Sequence, residues 1–172
     1  SNANCYDSDD DGDTIATSQE IADADVLVAA GVENASDIDG DNLQNWLDDD
    51  SDGDSLLDSS ELRINTDSDL FYNYLDDDDD NDNLLTTVEI SEGNALNNIR
   101  TDGINWLDPD GDLVSNWLDT DSDGDETLDL AETNLDLDED TLPNYLDSDD
   151  DGDNILTIIE KEESSELGDD LD

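Results

Sequence analysis

Histidine is absent from this chain of 172 residues, cysteine occurs once, and only Arg63, Arg100 and Lys161 carry positive charge. The first absence excludes histidine-based catalytic triads and histidine-ligated zinc. The second excludes an internal disulfide, so Cys5 is silent on the redox compartment. No glycine-rich phosphate loop of the usual spacing is present. No run of eighteen apolar residues exists, so no membrane-spanning helix is expected in this segment. There is no signal-peptide pattern either, but Ser1-Asn2-Ala3 reads as a remnant of recombinant expression, so a leader or anchor could have been trimmed away.

What the chain has instead is carboxylate. Aspartate and glutamate number 56, of which 44 are aspartate, and the formal charge is −53. Three cations cannot neutralise that charge, and self-repulsion should keep the chain expanded unless counterions bind it. Divalent metal is the expected remedy; one ion in each of nine loops would offset about a third of the charge. The same charge argues against nucleic acid and anionic membrane surfaces as partners.

The unit from which the chain is built is clearest at 144–160, NYLDSDDDGDNILTIIE. Numbered from Asp149, it has Asp at positions 1, 3 and 5, Ile155 at 7, Thr157 at 9 and Glu160 at 12, the ligand spacing of an EF-hand-type calcium loop. The frame can be laid nine times, from Asp9, Asp37, Asp50, Asn65, Asp78, Asp108, Asp121, Asp136 and Asp149. Positions 3 and 5 are always aspartate: Asp11 and Asp13, Asp39 and Asp41, Asp52 and Asp54, Asp67 and Asp69, Asp80 and Asp82, Asp110 and Asp112, Asp123 and Asp125, Asp138 and Asp140, Asp151 and Asp153. Position 7, which offers a backbone carbonyl, is Ile15, Leu43, Leu56, Phe71, Leu84, Val114, Thr127, Leu142 or Ile155. Position 9 always carries a side-chain oxygen: Thr17, Asn45, Asp58, Asn73, Thr86, Asn116, Asp129, Asn144, Thr157. Position 12 always carries a carboxylate: Glu20, Asp48, Glu61, Asp76, Glu89, Asp119, Glu132, Asp147, Glu160. An isolated acidic run is usually a solvated face. Aspartate fills about one position in four, too few to fill every one of these slots by composition alone.

Six of the nine stretches have glycine at position 4. Moving glycine to position 6, its usual EF-hand place, would put Ser18 and Ser59 at position 12 and lose the closing acid. The frame with glycine at 4 is therefore kept. A sharp turn at position 6 favours left-handed backbone, which Asn42, Asn83 and Asn154 tolerate better than Leu70 or Leu113, so those two loops are expected to be distorted.

The stretches come in pairs whose starts lie 13 residues apart, the first ending Asn-aromatic-Leu-Asp and the second in Glu. Two insertions interrupt them: 21–36, alanine-rich and expected to form a short helix ending near Gly31, and 90–104. Asn4-Cys5-Tyr6-Asp7 aligns with the junctions at 73–76 and 144–147, so the segment is expected to begin mid-array. Asp9, Asp78 and Asp149 open equivalent stretches 69 and 71 residues apart. The organisation expected is tandem calcium loops over 4–160, in superunits 4–72, 73–143 and a partial 144–160, followed by an acidic tail at 161–172. Thirteen residues from start to start leave no room for EF-hand helices, so the loops abut. Apolar residues, mainly at positions 7, 8, 10 and 11, should form small local clusters, with Trp46, Trp106 and Trp117 in packing roles.

These residues resemble the thrombospondin type 3 repeats and their bacterial calcium-binding relatives. The resemblance rests on D-x-D-x-D-x-I/L-x-D/N-x-x-D/E, on alternating short and long copies, and on the N-Y/W-L-D junctions, and covers about 9–160. It implies an elongated, mostly irregular, calcium-wrapped array in a secreted or surface protein. Carboxylates at positions 1, 3, 5 and 12, the position 7 carbonyl and a direct or water-mediated contact from position 9 would hold one or more calcium ions per repeat. This chain departs from the pattern in lacking glycine at position 6, in Asn65 at position 1, and in its insertions.

Two functions compete. One is a structural calcium module, a stiff spacer or stalk between neighbouring domains of a secreted or cell-surface, bacterial protein such as an adhesin. The other is a disordered polyanion that binds basic partners or mineral surfaces. The constancy of the spacing favours the first. An enzyme is not expected, because repeated carboxylates offer no unique acid/base pair in a pocket. A calcium sensor would need a helix pair that opens, for which there is no room.

Overall fold

A computed structural model describes residues 7–168. Residues 1–3, the Asn4-Cys5-Tyr6 junction and the last four residues of the acidic tail lie outside the described residues. Among the described residues helices and turns occur but no β-strand, in line with an expectation of little regular secondary structure. The helices are α1 (Thr17–Ala30), α2 (Asp58–Glu61), α3 (Thr86–Ile99), α4 (Asp129–Glu132) and α5 (Thr157–Gly168). Single 3-10 turns lie at Asn45–Leu47, Asn73–Leu75, Asn116–Leu118 and Asn144–Leu146. No helix among the described residues is long and apolar enough to cross a membrane.

Every helix and 3-10 turn starts at position 9. In the Glu-closed stretches positions 9–12 form an α-helical turn, and in the Asn-aromatic-Leu-Asp stretches positions 9–11 form the 3-10 turn. α2 and α4 stop after one turn because the next residue, Leu62 or Thr133, takes a left-handed φ of 61° or 59° and donates its N–H back to Asp58 or Asp129 at 2.7 Å. α1 continues instead through the alanine-rich insertion, as the composition of 21–36 leads one to expect. It ends at Gly31 (φ 93°), where the N–H groups of Gly31 and Val32 take up the carbonyls of Val28 and Leu27. A left-handed helix end of this kind favours glycine.

The chain divides into two compact units, 1–79 with 85–87, and 80–84 with 88–172. The first has a cluster of Ile15, Leu27, Ala35, Tyr74 and Leu75, with Val32, Ile38, Phe71 and Tyr72 packed against it. The second has Leu84, Leu96, Trp106, Leu142, Tyr145 and Leu146. Loop positions 7, 10 and 11 supply much of each cluster; the first insertion adds Leu27 and Ala35 to one, and the second adds Leu96, with Trp106 of the junction just after it, to the other. Trp106 is buried, whereas Trp46 and Trp117 are half-buried.

Both insertion helices also carry an acid that receives a tyrosine hydroxyl. Tyr74 donates to Asp23 at 2.8 Å and Tyr145 to Glu92 at 2.8 Å. Burial, followed by the acid, pushes both phenols up. Asp23 is held further by Arg63, at 2.7 Å through Nε and 2.6 Å through Nη2, with the guanidinium 4.7 Å from the centre of the Tyr72 ring. In the second unit the corresponding helix position beside the acid is Gly93, where an added Cβ would collide with the Trp106 carbonyl oxygen and the Leu107 side chain.

Candidate metal centre

The loop geometry follows from its aspartates. The position 5 carboxylate accepts the N–H of position 7 in all nine stretches, at 2.5–2.8 Å. The position 3 carboxylate accepts the N–H of position 5 at 2.9–3.3 Å in the stretches that open at 9, 37, 50, 65, 108, 121, 136 and 149. Such side-chain-to-backbone bonds mimic a turn and suit aspartate. Position 4 is left-handed in every stretch: Gly12, Gly40, Gly53, Gly111, Gly124 and Gly152, together with Ser68, Asn81 and Glu139. That is the reason glycine belongs at position 4, since a left-handed residue with a Cβ costs about 1 kcal/mol.

Position 6 is also left-handed in every stretch except one. Leu113 adopts φ 81° and leaves its side chain 90% exposed, so its loop keeps the common shape. Leu70 does not turn left-handed, and its loop departs as expected. There the amide of Asn65 donates to the carbonyls of Asp69 (3.3 Å) and Phe71 (2.6 Å), so the position 7 carbonyl already has a donor. In the other loops position 1 is a carboxylate and accepts instead: Asp9 takes the N–H groups of Gly12 and Thr14, and Asp149 that of Asn154.

Position 9 latches each loop shut. Its N–H donates to the carbonyl of the residue before position 1 in all nine stretches, from Thr17 to Ser8 through to Thr157 to Ser148, at 2.5–3.1 Å. Its side-chain oxygen accepts the N–H of position 2 in eight, at 2.8–3.3 Å. The ninth has Pro109 at position 2, which has no N–H to give. In Asp58 and Asp129 the second carboxylate oxygen is also taken, by the hydroxyls of Ser51 and Ser122 at 2.7 Å. The side-chain oxygen at position 9 is therefore engaged within its own loop in eight of the nine, whereas Asn116 Oδ1 is buried without a hydrogen-bond partner.

The resulting curl draws carboxylates together. Asp9, Asp11 and Asp13 each bring an oxygen within 4.8 Å of the others, as do Asp37, Asp39 and Asp41, and Asp50, Asp52 and Asp54. Position 12 behaves in two ways. Asp48, Asp76, Asp119 and Asp147 face the position 3 and 5 carboxylates of their own loops and accept the N–H that opens the next one, at 3.1–3.2 Å. Glu20 and Glu61 turn inward: Glu20 groups with Asp13 and Asp58, and Glu61 with Asp54 and Asp79, all six buried. The stretch 78–89 falls where the two units divide.

Burial, followed by the surrounding aspartates, pushes Glu20 up to about 9, Glu61 to about 10 and Glu132 to about 9. Asp79 rises to about 8 for the same reasons, mainly burial and then Asp54. Both carboxylate oxygens of Glu20, Glu61 and Glu132 are buried without a hydrogen-bond partner. The ion pairs found go to Asp23, Asp102, Asp140 and Asp125, so no ion pair among the described residues reaches these three glutamates. A buried carboxylate without a counter-charge costs several kcal/mol unless it is protonated. The donor set is all oxygen, which suits a hard divalent cation and not a thiophilic one. These carboxylate clusters could hold metal ions, and the orphaned oxygens fit that use.

The frame missed Asp79, which stands at position 2. A signal was present: position 2 is aspartate only at Asp10, Asp79 and Asp150, the openers of the three equivalent stretches. Compared with family models, curated proteins and solved structures, the chain matches none.

Proposed function

We propose that this chain is a structural calcium-binding repeat module, akin to the thrombospondin type 3 and bacterial DxDxD repeats it resembles, serving as a stiff spacer in a secreted or cell-surface protein. The observation that carries this reading is the set of buried glutamates, Glu20, Glu61 and Glu132, whose oxygens have no donor and whose neighbours are other carboxylates. Bound calcium would supply the positive charge that three basic residues do not, and with it folding energy that the small apolar clusters lack. Positions 1, 3 and 5 converge in the loops opening at Asp9, Asp37 and Asp50, position 12 adds a further carboxylate, and position 9 holds the loop closed. The disordered-polyanion alternative gives no reason for the recurrence of these bonds. No catalytic role is proposed. The extracellular setting, the spacer role and the elongated shape belong to the proposal.

Chelation is the test. Tryptophan emission and circular dichroism of the chain in calcium should both change on adding excess chelator, with an increase in hydrodynamic radius. Identical spectra and radius in the two conditions would sink the reading. Small-angle scattering of the calcium-loaded chain tests the spacer separately: a compact globule of this length has a radius of gyration of roughly 16 Å, which a spacer should clearly exceed.

A further inference from the structure

We propose a second class of cation site, buried and built across loops, in which Asp54 and Glu61 of one loop are joined by Asp79 of another, and Asp13 and Glu20 by Asp58. The inference rests on the calcium reading above and goes beyond it, because Asp79 lies outside the ligand frame and Asp58 comes from a different loop. In each set one oxygen from each carboxylate lies within 4.8 Å of the other two. Exposure is 1% for Asp54, 5% for Glu61 and 2% for Asp79, and 3%, 0% and 0% for Asp13, Glu20 and Asp58.

The independent observation is the state of the glutamates. Neither oxygen of Glu61 nor of Glu20 has a hydrogen-bond partner, although each side chain is more than nine-tenths buried and directed into its cluster. Asp54 Oδ2 and Asp13 Oδ2, in the same clusters, also lack partners. Ionised carboxylates are not left buried this way unless a counter-charge replaces the missing donors; without one they take up protons. Three carboxylates in a dry, oxygen-only setting select a hard divalent cation of calcium type. Asp54 and Asp13 belong also to the groups 50–52–54 and 9–11–13, so each stands between a loop site and a cross-loop site.

The second unit repeats the pattern with a cation in view. The carboxylates acting on Glu132 are Asp123, Asp125, Asp150 and Asp129, each 71 residues beyond those acting on Glu61, namely Asp52, Asp54, Asp79 and Asp58. There the Lys161 ammonium rests 3.1 Å from Asp125 Oδ1 and also contacts the Thr127 hydroxyl. It lowers the carboxyls of Asp121 and Asp150 against the upward push of burial. A positive charge thus already sits beside the position 5 aspartate where Glu132 and Asp150 approach.

The test is a count of calcium ions bound to the full chain, by native mass spectrometry and calorimetric titration, for the natural sequence, Asp79→Asn, Asp37→Asn and Glu33→Gln. Glu33 is exposed in the insertion and controls for charge alone. Asp79→Asn should lose one ion, or weaken one binding step at least tenfold, and Glu33→Gln should lose none. An unchanged count and unchanged affinities for Asp79→Asn, while Asp37→Asn loses an ion, would overturn the cross-loop site and leave the loop sites standing. If the natural chain binds no calcium, the underlying reading fails instead. Crystals of the natural chain grown in calcium decide the matter even if Asp79→Asn does not fold. A peak about 2.3–2.6 Å from Asp54, Glu61 and Asp79 is expected, and water or empty density there overturns the site.

Discussion

The two units meet the same packing problem with different residues. The helices α1 and α3 run in step 69 residues apart, so that Asp23 corresponds to Glu92, Ala24 to Gly93 and Leu27 to Leu96. Beyond the helix, Ala35 in the first unit and Trp106 in the second enter the respective clusters. The first helix carries a Cβ at Ala24, whereas in the second the Trp106 carbonyl and the Leu107 side chain press on the helix and only glycine fits at 93. The acids differ in support as well, since Asp23 is held by Arg63 and Tyr74, whereas Tyr145 is the partner found for Glu92. What the pair of units keeps constant is the loop, and what it varies is the contact between insertion and loops.

The sharpest way to break this correspondence is Gly93→Ala. It should destabilise the second unit by several kcal/mol, as overpacking against backbone does, and leave the first unit untouched. Hydrogen exchange resolved by residue should show lost protection around Leu96, Trp106 and Leu142 while Leu27 and Tyr74 keep theirs; uniform loss across both units would contradict it.

Acidity comes next and acts on both units. Glu20, Glu61 and Glu132 have folded-state values near 9–10, above the roughly 4.3 of an unfolded glutamate. Between those values the metal-free fold holds protons that the unfolded chain has released, so its stability falls as pH rises. In chelator, helical signal should therefore be greatest near pH 4–5 and decline toward pH 9. With calcium present, protons compete for the same oxygens and the trend should reverse. A metal-free chain that gains structure as pH rises would refute the assignment.

Replacing the acids separates the units again. Asp23→Ala strands Arg63 and Tyr74 and should cost the first unit about 3 kcal/mol, whereas Glu92→Ala removes one tyrosine partner and should cost the second about 1–2 kcal/mol. Thermal denaturation of the two variants in calcium measures the difference, and equal losses would show that Arg63 adds nothing. The smallest effect belongs to Ala24→Gly, about 1 kcal/mol from helix propensity with a small cavity term, read in the same melts.

Much of the loop was legible in the sequence because its bonds are local. Aspartate at 3 and 5, the oxygen at 9 and the acid at 12 recur at fixed spacing, and the bonds that shape the loop run from aspartate to the amide two residues on and from position 9 back to the start of the same loop. Less of the remainder was legible, for physical reasons. The left-handed residue at position 4 was hidden by taking position 6 as the turn. Position 9 read as a cation ligand, yet in eight loops its oxygen has a backbone donor seven residues back, an alternative that ligand spacing alone does not separate. Asp79 and Asp58 meet Glu61 and Glu20 through tertiary approach, which a 12-residue frame cannot encode. Tyrosine rather than tryptophan at 74 and 145 marked the rings whose hydroxyls reach Asp23 and Glu92, 51 and 53 residues away, a choice without meaning until the helices are placed.

The latch at position 9 also has a consequence in time. Its bonds close segments of eight and ten residues, and segments of that length meet in about 10–100 ns. Each loop can therefore sample its closed form long before distant carboxylates come together, and the order of assembly runs from local curl to cross-loop contact. Proline at 109 removes one of the two bonds from a single loop, 108–119, which makes that loop the natural place to look for the slowest closure in the chain.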